Sequence, residues 1–116
     1  MDYNYGKIRI IERREVMEEL ILNLIMHSGE ARSSAVEAIA LAKNKKFDKA
    51  DEYLRKADEE LGFAHNAQTS LIQAENDEVQ VSLLLVHAED HLMTTMTFKD
   101  LAAEFVEVYK KLSEKS

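Results

Sequence analysis

The sequence predicts an all-α chain: an antiparallel up-down-up bundle of three helices that also associates with copies of itself. Three observations carry this. The chain has 116 residues with no Pro and three Gly, so few positions force a helix to break. Its apolar residues recur at alternating steps of three and four, the spacing of helices that cross at a shallow angle. Its last long segment carries two apolar stripes, one more than a three-helix monomer buries.

Residues 1–14 read as a flexible N-terminal arm. Met1 to Gly6 has no period, and Lys7, Arg9, Arg13 and Arg14 make the next stretch basic around Ile8, Ile10 and Ile11. Such an arm suits a membrane surface or an acidic partner, or weak docking on its own bundle. Residues 15–116 read as one three-helix domain. The first helix is expected from about Glu15 to Lys43, with a stripe of Met17, Leu20, Leu24, His27, Ala31, Ser34, Ala38 and Leu41, widened by Ile21 and Ile25. Ser28-Gly29 interrupts it. Gly costs about 1 kcal/mol against Ala inside a helix, so either a neighbour approaches closely there or the helix bends. Asn44-Lys45-Lys46 closes the segment, since Asn tolerates the left-handed conformation and Lys suits a helix C-terminus.

The second helix is expected from Asp48, a good N-cap residue. Its stripe is a regular heptad: Phe47, Ala50, Leu54, Ala57, Leu61, Ala64, Gln68 and Leu71. Glu75-Asn76-Asp77 reads as the turn that ends it. The third helix is expected from Glu78 to Lys111. One stripe is Val81, Leu84, Ala88, His91, Thr95, Phe98, Ala102, Phe105, Tyr109 and Leu112. The other is Leu83, Val86, Asp90, Met93, Thr97, Leu101 and Val108. The second stripe is the reason to expect self-association.

Composition removes several function classes. A net charge of −7 disfavours a nucleic-acid binder, which displaces counterions with a cationic face. The longest apolar run, Leu83 to Val86, is far shorter than the roughly 20 residues of a membrane span. The polar start has no signal-peptide core. With no Cys there is no disulfide or thiolate chemistry, which agrees with a reducing compartment. The expectation is a cytoplasmic protein.

The segment from Leu83 to Met93 carries the chemistry. It sets His87, Glu89, Asp90 and His91 inside the most apolar stretch of the chain. His87 and His91 are four apart and share a face. Asp90 projects about 60° around the helix from His87. Burying such groups costs several kcal/mol unless they are paired, protonated or metal-bound. A zincin motif needs Glu after its first His, and Ala88 stands there. A di-iron bundle needs Glu three before His, but Leu24, Gly62, Leu84 and Ala88 precede the four histidines. A nucleophilic imidazole remains: neutral His takes a phosphoryl group on one ring nitrogen while an acceptor orients the other.

Leu24-Ile25-Met26-His27-Ser28-Gly29-Glu30-Ala31-Arg32-Ser33, Ala64-His65-Asn66-Ala67-Gln68-Thr69-Ser70-Leu71-Ile72 and above all Val81 through Met93 resemble a known family. It is the enzyme IIA component of the bacterial sugar phosphotransferase system, in the lactose and N,N'-diacetylchitobiose/cellobiose branch. The likeness runs from about Glu19 to Leu112. It implies a three-helix bundle that trimerises, with His87 as the phosphorylated residue and His91 as a second histidine of the active-site region. It implies Asp90 meeting its symmetry copies on the trimer axis, where a divalent metal ion, Mg²⁺ by its hard oxygen ligands, would relieve the carboxylate repulsion. The implied partners are the histidine phosphocarrier protein as donor and a cognate enzyme IIB as acceptor, coupled to uptake of a β-linked disaccharide. Two positions depart from the pattern: Glu89 replaces the usual Gln, and Asn76-Asp77 stands where relatives tend to carry Gly. Gln68 and Arg32 are candidates to orient phosphate or to satisfy buried carbonyls, with Gln68 taken as a catalytic candidate. His27 and His65 read first as hydrogen-bonded bundle histidines. A helical adaptor and a regulatory phosphoprotein are the alternative functions.

Overall fold

The computed structural model describes residues 3–74 and 82–115, and among them there are three helices. They are α1 (Tyr3–Lys43), α2 (Phe47–Ala74) and α3 (Leu83–Glu114). Antiparallel order follows from three core layers. Ile21 and Leu24 of α1 meet Ala64, Ala67 and Leu71 of α2 and Ala88 and Leu92 of α3. Next come Ala31, Ala35, Ala57 and Ala102, then Ala38, Ala42, Ala50 and Val106. Numbers rise along α1 and α3 and fall along α2, so the chain runs up, down and up.

α1 begins at Tyr3 and not near Glu15. From Tyr3 onward the segment expected as a loose arm forms its first turns. The physical reason lies in what is missing: between Lys7 and Ser28 there is no Gly or Pro to stop a helix once started. Met17 is the first described side chain of α1 to pack on the core, in a molecule 77 Å long and 19 × 18 Å across.

The core face of α1 is turned slightly from the expected stripe. Leu24, Ala31 and Ala38 are buried as expected, but the other buried residues are Ile21, Ser28, Ala35 and Ala42. The heptad of α2 is observed nearly as read, with Ala50, Ala57, Ala64 and Leu71 buried and Phe47, Leu54, Leu61 and Gln68 half-buried. On α3 the buried set is Ala88, Leu92, Thr95, Ala102 and Val106. Leu84, Phe105 and Leu112, expected inside, are exposed. So is the second stripe, including Leu83 at 87% exposure, Val86, Met93, Leu101 and Val108.

The α1–α2 turn closes by a Schellman pattern: the Lys46 N–H bonds to Leu41 O at 2.9 Å and the Lys45 N–H to Ala42 O at 3.0 Å. The left-handed residue is Lys45, φ 62°, and not Asn44, whose amide instead donates to Ala40 O at 3.2 Å. A non-glycine residue held there costs on the order of 1 kcal/mol. Lys45→Gly is therefore expected to raise the unfolding free energy by about 1 kcal/mol, read as a higher urea midpoint at constant slope. An unchanged or lower midpoint contradicts it. The expected turn at Glu75-Asn76-Asp77, and Val81, lie outside the described residues. α3 starts at Leu83 because Ser82 caps it: the Ser82 hydroxyl accepts from the Leu85 N–H at 3.1 Å.

α2 and α3 share the least contact of the three helix pairs, and polar side chains span their seam. Gln68 donates to Glu89 at 2.6 Å, Lys99 pairs with Asp58 at 2.5 Å, and Lys110 contacts both oxygens of Asp51 at 2.9 Å. Hydrogen bonding to Asp58 and to Asp51 holds the two ammonium groups above the usual lysine range.

Candidate functional site

Helix periodicity brings His87 and His91 together on α3. Their ring centroids are 6.2 Å apart and the rings are nearly parallel, at 13°. The two differ in setting. His87 is exposed and has no hydrogen-bond partner among the described residues, so its ring nitrogens are free. His91 is half-buried, and its Nε2 lies 3.6 Å from where a Cβ on Gly29 would stand. The neighbour facing Gly29 is therefore the His91 ring, at an ordinary van der Waals distance that would leave room for a Cβ, and α1 continues through Ser28-Gly29 without a break.

Glu89 does not confront His87. Two residues on, it projects about 200° around the helix and accepts the Gln68 amide. The negative charge that replaces the family's usual Gln is thus turned to the α2–α3 seam. Gln68 is held in the same place, on the opposite side of α3 from His87, rather than beside the histidine pair. Asp90 is exposed and belongs to the uncovered apolar stripe with Val86 and Met93. Among the described residues no three His, Cys, Asp or Glu groups of one chain come together to hold a metal ion.

Of the other histidines only His27 is the hydrogen-bonded bundle histidine expected; the His65 ring is exposed and has no hydrogen-bond partner among the described residues. His27 Nδ1 lies 2.6 Å from Glu60 Oε2, and its ring leans on Phe63 with centroids 5.2 Å apart, which ties α1 to α2. His65 is exposed, and its backbone carbonyl accepts the Thr69 hydroxyl at 3.0 Å. Arg32, His91, Thr94, Thr95 and Phe98 line a cleft of about 280 Å³. Two buried hydroxyls, Ser28 Oγ and Thr95 Oγ1, have no partner among the described residues. Each such group costs about 1–3 kcal/mol. Sequence reading took Ser28 as an interruption and Thr95 as an ordinary seam residue. Their hydroxyls at core positions of an Ala- and Leu-lined seam were the available signal.

Fold and site together define a small all-helical protein that displays an exposed imidazole, that of His87, on an outer face of its third helix. Residues 19–110 match the family model described as "PTS system, Lactose/Cellobiose specific IIA subunit". The chain belongs to this family, and so is a component of the sugar phosphotransferase system. It is 50% identical over 102 residues to the lichenan-specific phosphotransferase enzyme IIA component of Bacillus subtilis, covering 86% of this chain and 93% of that protein. It is similar in structure to the cellobiose-specific enzyme IIA of Bacillus anthracis, with a TM-score of 0.83, 48% identity, and 86% and 94% of the two chains covered. It is also similar to the IIA chain in the solution structures of the Escherichia coli IIA(Chitobiose)–HPr complex, with a TM-score of 0.74, 40% identity, and 84% and 96% covered. No helix among the described residues is long and apolar enough to cross a membrane.

Proposed function

We propose that His87 is the phosphoryl-accepting residue of a cytoplasmic carrier. It takes the group from the histidine phosphocarrier protein and passes it to the cysteine of a cognate enzyme IIB, serving uptake of a β-linked disaccharide of the cellobiose, chitobiose or lactose kind. The observation that supports this is the setting of His87, exposed on the apolar stretch of α3 and without a hydrogen-bond partner among the described residues. Docking proteins reach it directly, and the surrounding Leu84, Val86 and Met93 offer apolar surface. In the transfer, the phosphorus bond to the donor's imidazole nitrogen breaks as a bond to a lone pair of neutral His87 forms. The donor's ring, protonated on its second nitrogen, leaves as a neutral imidazole with the electron pair of the broken bond, and His87, keeping the proton on its own second ring nitrogen, becomes the phosphorylated imidazolium. Catalysis is positioning and electrostatic stabilisation. The parallel ring of His91 limits where the His87 ring turns.

Assembly completes the reading. Three copies of α3 would cover the second apolar stripe and bring three Asp90 carboxylates together. Like charges in such a place repel, and a divalent cation with hard oxygen ligands such as Mg²⁺ fits that donor set. Its contribution would be charge compensation between chains, with no part in the transfer. The experiment is incubation with phosphoenolpyruvate and the general phosphotransferase proteins. Acid-labile, base-stable phosphate on the chain is the expected result. A helical adaptor takes up none.

A further inference from the structure

One imidazole is enough to accept a phosphoryl group, yet two stand one helical turn apart on α3. The rings of His87 and His91 have centroids 6.2 Å apart and planes within 13°. Neither ring has a hydrogen-bond partner among the described residues, whereas the His27 ring engages Glu60 at 2.6 Å. Each neutral imidazole therefore keeps a nitrogen lone pair unengaged. Neither ring is wedged in place. His87 is exposed, and a Cβ on Gly29 would still stand 3.6 Å from His91 Nε2. Two free lone pairs on adjustable rings that share one helix face suit a single electrophile lying between them.

We infer that His87 and His91 together chelate a divalent metal ion that prefers imidazole, such as Zn²⁺, and that this ion and the phosphoryl group exclude one another. The exclusion rests on the reading of His87 given above and adds a control on it. Histidines at i and i+4 of one helix reach a common ion, as they do in helical zinc sites. Their Cβ atoms are about 5–6 Å apart, and a tetrahedral ion bound at about 2.1 Å holds two ligand nitrogens about 3.4 Å apart. Rotation of the exposed His87 ring about its two side-chain bonds brings a nitrogen to that distance. Imidazole suits Zn²⁺, Cu²⁺ or Ni²⁺, whereas carboxylates such as Asp90 suit the hard Mg²⁺. Among the described residues no third His, Cys, Asp or Glu closes the site, so water fills the remaining positions and the ion exchanges. A bound ion occupies the lone pair of His87 that would attack phosphorus. A phosphoryl group on that nitrogen in turn removes one of the two ligands. By linkage each weakens the other by the same factor.

The test titrates the full, metal-free chain with Zn²⁺ in the presence of Mg²⁺, read by calorimetry. One Zn²⁺ per chain is the expected result. His87→Gln and His91→Asn should each weaken binding about tenfold or more, as loss of one of two ligands does. Zn²⁺ binding that survives both substitutions overturns the inference. One ion per three chains also overturns it, since that assigns the ion to Asp90. His91 is half-buried, so circular dichroism must show its variant to be folded; where it is not, the exposed His87 carries the test. The chain phosphorylated beforehand should bind Zn²⁺ about tenfold or more less tightly, and equal affinity overturns the exclusion. Phosphate uptake by the metal-free wild type is measured alongside. If there is none, the phosphocarrier reading falls, while the titration of the unphosphorylated chain still decides the metal site.

Discussion

His87→Gln is expected to abolish phosphoryl uptake and leave the bundle intact. The side chain is exposed and makes no hydrogen bond among the described residues; its one ring contact is with His91, at the surface, so its replacement orphans no buried group. Gln keeps comparable size and polarity but offers no ring nitrogen for a phosphoramidate bond. Loading from phosphoenolpyruvate through the general proteins should drop below a thousandth of the wild-type rate, as expected when the nucleophile itself is lost. Circular dichroism and thermal midpoint should match the wild type. Label at the normal rate in the Gln variant would place the phosphate elsewhere, and the exposed His65 would be the next residue to replace.

The second large effect concerns assembly. The wild-type chain is expected to sediment at about three times its 13.3 kDa mass, because the exposed stripe of Leu83, Val86, Met93, Leu101 and Val108 is too extensive for a free surface. Asp90 stands within that stripe. Bringing three carboxylates into one apolar place is costly, so Asp90→Leu should still fold and trimerise. Its melting temperature should no longer respond to chelator or to added divalent cation, whereas the wild type should lose stability with chelator. A wild-type monomer at micromolar concentration removes the trimer. Wild-type melting indifferent to both chelator and metal removes the ion as the relief of that repulsion.

What was legible in the sequence depended on how strongly each face was marked. α2 alternates large and small apolar residues in strict heptad steps, and its buried face was read almost residue for residue. α1 buries mostly Ala and Ser beside Ile21 and Leu24. Such residues give a weak hydrophobic signal, so the expected stripe drifted toward Met17, Leu20 and Leu41, which flank the core. α3 has the opposite difficulty. With two neighbouring apolar stripes, nothing local says which faces inward, and Leu92 and Val106, in neither stripe, turned out to be buried. The His87–His91 pair was legible because four residues make one helical turn. The partner of Glu89 was not, because Gln68 lies 21 residues away on another helix. The same holds for the orphaned hydroxyls of Ser28 and Thr95, whose isolation is a property of three packed helices.

The alanine-lined core has one further consequence. Among the described residues, ten of the fifteen buried apolar side chains are Ala. Methyl groups make a smooth seam with few ridges to lock into grooves, so helices facing one another across it are free to slip lengthwise at little energetic cost. Axial position must then be encoded at the rim, in Asp51–Lys110, Asp58–Lys99, Gln68–Glu89 and His27–Glu60. Partly exposed pairs at a rim add little to stability, about 0–1 kcal/mol for an ion pair, but they penalise every misaligned arrangement, as polar groups that set register do. They act as the notches of a vernier scale. By fixing α3 along α2 and α2 along α1, they decide whether the His91 ring comes level with Gly29 and so where His87 is offered to an incoming protein.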